Sequence, residues 1–101
     1  MKDAVGPVLR VCDELELILN AIQEDNPAGS VEVIDLGAYV RIQRARFLRV
    51  SRRTLQRHLG SDFQITAFAA TMSAFAGHIR TSSDEIVWQL DAANGSLRKD
   101  K

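Results

Sequence analysis

Val31 to Gln43, reading VEVIDLGAYVRIQ, constrains this chain more than any other stretch. Apolar and polar side chains alternate through VEVID and again through AYVRIQ, the period of a strand with one buried face. Leu36 and Gly37 stand between the two runs, and glycine supplies the positive φ that a tight turn needs. Strands joined this closely run antiparallel, because a parallel pair needs a crossover of a dozen residues or more. The stretch predicts a β-hairpin and commits the fold to an antiparallel sheet.

The flanking segments supply helices to cover that sheet. AVGPVLRV, near the start, is a short apolar run with Pro7 inside it, which reads as an edge strand or an extended lead-in. Asp13 is placed to N-cap a helix, with Glu14 and Glu16 in its first turn and Leu15, Ile18, Leu19 and Ile22 facing inward. That helix ends at EDNPAG, where Pro27 pushes Asn26 out of helical geometry. RFLRV predicts a third strand after a turn around Arg44 and Ala45, and Ser51 then caps the helix RRTLQRHL, which Gly60 ends. Arg52 and Arg53 in its first turn oppose the helix dipole, so a compensating group is expected nearby.

The next stretch, ITAFAATMSAFAGHI, predicts a helix up to about Ser73 or Phe75. Ile65, Phe68, Met72 and Phe75 would share one face, and Ala69, Ala70 and Ser73 would form a nearly flat opposite side. Such a side admits the close approach of another backbone, from this molecule or from a partner. AGHIRT and EIVWQL then predict a closing pair of strands around SSDE, and DAANGSLRKDK is polar and expected to fray. The expected fold is α+β: one domain over residues 1–90, with about three helices packed on an antiparallel-rich sheet, and a flexible tail over 91–101.

Composition and motifs narrow the function. Hydrophobic residues make up 46% and charged residues 26% of the 101, the balance of an ordinary globular domain. No apolar run is long enough to span a bilayer, the N-terminal MKDAVGPV lacks a signal-peptide core, and one cysteine, Cys12, fits a reducing compartment. These observations predict a cytoplasmic protein. His58, His78 and Cys12 are far apart, with no CxxC or HExxH, and neither a P-loop, GxSxG nor dinucleotide fingerprint is present. No metal, no cofactor and no catalytic residue are expected.

The net charge of zero conceals an order. Val11 to Val40 holds seven acids and no lysine or arginine, whereas Arg41 to Gly60 holds seven arginines and no acid. The two blocks either pair with each other and with solvent or form a bipolar surface that orients a partner. The arginine stretch, Arg41 to Arg57, also admits a small nucleic-acid-binding module, although it contains a single aromatic, Phe47, and no stacking pair. A small ligand-sensing domain is the third class compatible with this order of elements.

Several local patterns, taken in order, resemble one family. VGPVLR, AIQEDNP, GAYVRI, RRTLQRHLG and SAFAGHI look like the effector, or coupling, protein of soluble bacterial multicomponent di-iron monooxygenases, which serve methane, phenol, toluene and alkene oxidation. The resemblance runs from about Val5 to Leu90. It implies a cofactor-free, non-catalytic protein that binds the large subunit of the hydroxylase, reshapes its active site and couples NADH consumption to hydrocarbon hydroxylation or epoxidation. The system would contain a reductase and, as a further component, a Rieske-type ferredoxin; membrane and nucleic acid would play no part, and the free protein would be a monomer. The short lead before Val5 favours the aromatic and alkene branches over the long-tailed methane branch. Under this resemblance Phe68, Met72 and Phe75 are core, and the expected partner contacts are Asn26, Pro27, Tyr39, Arg41, Ala69, Ala70, Ser73, Ala76 and Gly77.

Overall fold

The computed structural model describes residues 1–90, so the tail expected over 91–101 lies outside the described residues. Its central hairpin is the one the alternation predicts. β2 (Glu32–Asp35) pairs antiparallel with β3 (Tyr39–Ala45), Glu32 opposite Gln43 and Asp35 opposite Val40. Gly37 takes φ +92° in the turn, where its N–H donates to Asp35 Oδ1 at 2.8 Å, and Leu36 N donates to Tyr39 O at 2.9 Å.

β1 (Ala4–Arg10) lies beside β3 in the interior of a four-stranded sheet of order β2, β3, β1, β5, with β5 formed by Met72–Ala76. Pro7 was expected to confine this strand to an edge. Pro7 is tolerated because the β1–β3 register skips Gly6 and Pro7, pairing Val5 with Arg44 and resuming at Val8 with Arg41. The absent proline N–H therefore falls where the ladder is already open. Gly6, at φ +142°, makes that gap possible, since a Cβ there would lie 2.1 Å from Ile42 O.

β4 (Phe47–Ser51), β6 (His78–Thr81) and β7 (Glu85–Gln89) form a second, three-stranded antiparallel sheet of order β4, β7, β6. The turn into β4 sits at Arg46, φ +72°, slightly later than predicted. α1 (Leu15–Glu24) buries Ile18, Ala21 and Ile22; α2 (Arg52–Leu59) buries Leu55; α3 (Ile65–Thr71) buries Ile65 and Phe68. These meet Val5, Leu9, Val40 and Ile42 of the larger sheet and Leu48, Val50, Ile86 and Trp88 of the smaller one in a single core. Phe68 and Trp88 are fully buried and meet edge to face, ring centres 6.0 Å apart. Trp88 Nε1 has no hydrogen-bond partner there among the described residues.

Two local readings need correction. The residue before α1 is Glu14 rather than Asp13, and its side chain makes no capping bond. The other concerns ITAFAATMSAF, which leaves the helix after Thr71 and continues as β5. Helical period is a weak determinant against a free sheet edge: pairing with β1 satisfies main-chain groups on both strands. Gly6 lies opposite Ala76, Pro7 opposite Phe75 and Val8 opposite Ala74, with an irregularity before Leu9 opposite Met72. Phe68 and Met72 pack on the core as expected, whereas Phe75 is 46% exposed.

Candidate partner-docking face

Directly opposed residues in antiparallel strands point to the same side of the sheet, so the register defines the face that the helices leave uncovered. Ile34 of β2 lies opposite Arg41 of β3, Arg41 opposite Val8 of β1, and Val8 opposite Ala74 of β5, forming one row across all four strands. None of these four is fully buried, whereas Val40, Ile42, Val5 and Leu9, on the other side, are 0–6% exposed. A second row joins Leu36, Tyr39 and Arg10. Arg10 Nη2 donates to Ala70 O at 2.6 Å, and Ser73 Oγ donates to Val8 O at 3.2 Å, tying the end of α3 and the start of β5 to this face.

The structure thus gathers Tyr39, Arg41, Ala70, Ser73 and Ala76 around one open sheet surface, though by strand pairing rather than on one side of a helix. Ala69 lines a cleft of about 490 Å³ between α3 and the β6–β7 turn, with Thr66, Ser82 and Ser83 among its neighbours. Gly77 is exposed and also has a duty inside the fold. At φ +92°, it turns the chain from β5 into β6, and a Cβ there would lie 2.7 Å from both Gln89 O and Val5 Cγ1. Its close approach is to its own core.

Asn26 is also turned inward, being 7% exposed. Its Nδ2 donates to Ile22 O at 2.6 Å and to Arg49 O at 2.8 Å, while its Oδ1 accepts from Arg49 N at 3.3 Å. With its amide so engaged it brackets α1 to β4, and Pro27 beside it lines an exposed cleft at the end of α1. Neither adjoins the open sheet face through any of the rows described.

Next to this bracket is the compensation that Arg52 and Arg53 require. The Asp25 carboxylate sits at the start of α2, where Oδ2 accepts from Ser51 N at 2.7 Å and Oδ1 accepts from Thr54 Oγ1 at 2.7 Å. Ser51 caps the helix as predicted, its Oγ accepting from Thr54 N at 3.1 Å. A negative group there opposes both the guanidinium charges and the positive end of the dipole.

The arginine stretch is largely engaged inside the molecule. Arg46 pairs with Asp3 at 3.4 Å, Arg49 with Glu85 at 3.1 Å, Arg52 with Asp84 at 3.4 Å, and Arg57 with Glu24, which His58 Nε2 also meets at 2.8 Å. Arg44 donates to Ser30 Oγ and Phe47 O. Among the described residues only Arg41 and Arg53 of the seven lack such a partner, too sparse a set for a phosphate-tracking stripe. Most of the acidic partners, Asp3, Asp84 and Glu85, come from outside the Val11–Val40 block.

Among the described residues, no three His, Cys, Asp or Glu side chains gather as metal ligands would, and no helix is long and apolar enough to cross a membrane. A small two-sheet core with one broad uncovered face describes a protein that acts by contact. The chain belongs to the MmoB/DmpM family, whose model matches residues 3–89. It is a regulatory component of a monooxygenase system, not a catalyst. The effector subunit of the alkene monooxygenase system of Xanthobacter autotrophicus is 38% identical over 87 residues, 86% of each chain. A chain in the structure of a phenol hydroxylase–regulatory protein complex superposes with a TM-score of 0.78 at 25% identity, covering 87% of this chain and 99% of that one. The soluble methane monooxygenase regulatory protein B shares the fold, with a TM-score of 0.69 at 21% identity over 94% of this chain and 70% of its own.

Proposed function

We propose that this protein binds the di-iron hydroxylase of its monooxygenase system through the open face of the four-stranded sheet, with Tyr39, Arg41, Ala70, Ser73 and Ala76 among the contacts. Docking reshapes the hydroxylase active site and couples NADH consumption to insertion of oxygen into a hydrocarbon. The observation that carries this reading is the 38% identity with an alkene monooxygenase effector subunit over nearly the whole of both chains. That relative also favours an alkene among the candidate hydrocarbons. The phenol hydroxylase complex, in which a regulatory protein of this fold is bound to its enzyme, supports contact with a hydroxylase.

The mechanism follows from linkage. A protein that supplies no reacting group changes a partner only by binding two of its states unequally. About 1.4 kcal/mol of differential binding shifts the partner's equilibrium tenfold, and substrate that favours the same state must tighten effector binding in return. Small side chains suit this task, because Ala74, Ala76 and Ser73 leave the sheet backbone accessible to a closely fitting surface.

Reconstitution with the hydroxylase and its electron-transfer components tests this reading. Product formed per NADH consumed should rise with added protein to a plateau at stoichiometric effector, and peroxide release should fall. Ala70→Arg should shift that titration to higher concentration without altering the fold. An unchanged product-to-NADH ratio at saturating wild-type protein would overturn the coupling role.

A further inference from the structure

Three exposed large apolar side chains gather at the tip of the central hairpin, Leu36 and Tyr39 on the open face and Val11 on the other side. Val11 is 53% exposed, Leu36 52% and Tyr39 41%. The backbone holds them together: Leu36 and Tyr39 flank the Gly37–Ala38 turn and are joined by the Leu36 N to Tyr39 O bond, and Val11 N donates to Ala38 O at 3.0 Å, which sets Val11 beside the turn on the side away from Tyr39. Nothing about turn geometry requires leucine or tyrosine beside Gly37. A hairpin tip is ordinarily polar, so three large side chains at one tip point to a surface that is covered in use.

Apart from Arg10, which reaches across to Ala70 O, the charges nearest the tip are acidic. Asp13 and Glu14 follow Val11 closely, Asp35 precedes Leu36, and all three are exposed with no ion-pair partner among the described residues. The nearest cations are turned elsewhere or set back: Arg10 reaches to Ala70 O, and Arg41 lies one row further along the sheet. We infer that this tip is an anchor that inserts Leu36 and Tyr39 from one side and Val11 from the other into an apolar pocket of the hydroxylase bearing a basic rim. The inference rests on the effector reading and names the chemistry of the surface that receives it. A second copy of this chain is the poorer occupant, since a symmetric contact at the tip would set Asp13, Glu14 and Asp35 against their own equivalents. Aromatic and aliphatic anchors in a pocket dominate binding energy, and the rim charges govern encounter.

Binding of the full chain to purified hydroxylase, measured at low and at moderate salt, separates the two parts. Val11→Ser combined with Leu36→Ser should weaken binding about tenfold or more at both salt concentrations, with the thermal midpoint unchanged. Asp13→Lys combined with Glu14→Lys should weaken binding most at low salt and reverse its salt dependence. If wild-type protein binds and stimulates while both double variants titrate as wild type, the anchor is wrong and the effector reading stands. If wild-type protein neither binds nor stimulates, the effector reading fails and takes the anchor with it. A wild-type dimer in sedimentation that Leu36→Ser dissolves would reassign the tip to self-association and overturn the inference.

Discussion

The seam joining α1, β4 and α2 and the open face of the four-stranded sheet use side chains in opposite ways. At the seam, Glu24, Asp25 and Asn26 sit in consecutive positions and each bonds across to β4 or α2. On the open face, Ile34, Arg41, Val8 and Ala74 stand in a row with no side-chain hydrogen bond among them. The seam uses its polar groups to fix the fold, whereas the central row of the face leaves Arg41 without a partner among the described residues. The proposed docking face thus lies on strands other than the one that carries the seam.

Substitutions at the seam and the buried strand should therefore cost stability, and substitutions on the face should cost binding. The largest loss is expected from Gly6→Ala, which must displace the Ile42 carbonyl and adopt a left-handed conformation, about 3 kcal/mol by chemical denaturation. Asn26→Ala comes next, since it strands the Ile22 and Arg49 carbonyls that the amide serves, about 2 kcal/mol. Its folded fraction should still stimulate the hydroxylase fully, and a stimulation defect without a stability defect would return Asn26 to the interface. Asp25→Ala removes the acceptor at the start of α2 and should lower stability by about 1.5 kcal/mol. Ala74→Arg should change stability least, by within about 0.5 kcal/mol, while displacing the stimulation curve about tenfold. Equal loss of stability in Ala74→Arg and Asn26→Ala would erase the distinction between the two regions.

Much of this fold was legible in sequence because local chemistry and tertiary structure agree. The hairpin around Gly37, the stop at Asn26 and Pro27, the Ser51 cap and the closing strands all carry signals within a few residues, and all are present. Even the need for a compensating group was implied by two arginines in the first turn of α2, although not which residue supplies it. Legibility failed where the deciding partner was distant. β5 follows helical periodicity in sequence, yet β1, more than sixty residues earlier, offers it an edge to pair with. Pro7 excludes a ladder bond only on one side, and the gap that absorbs it depends on Ile42. The candidate site suffered in the same way. Tyr39 and Arg41 could be assigned to a strand, but their juxtaposition with Ala70 and Ser73 arises only through β1 and the Arg10 bridge. Gly77 is exposed, and what sequence did not reveal is its packing against Val5 and Gln89, both remote in the chain.

The contact between Phe68 and Trp88 gives the molecule an internal optical gauge. Trp88 is the sole tryptophan, fully enclosed between the two sheets, and its ring rests against the one α3 side chain that reaches deepest. Its emission should be blue-shifted in the free protein and should respond to any movement of α3. Because α3 leads directly into β5, a strand of the proposed docking face, a spectral change on adding hydroxylase would report strain carried from that face into the core. A silent spectrum would describe a rigid key whose partner does all the moving.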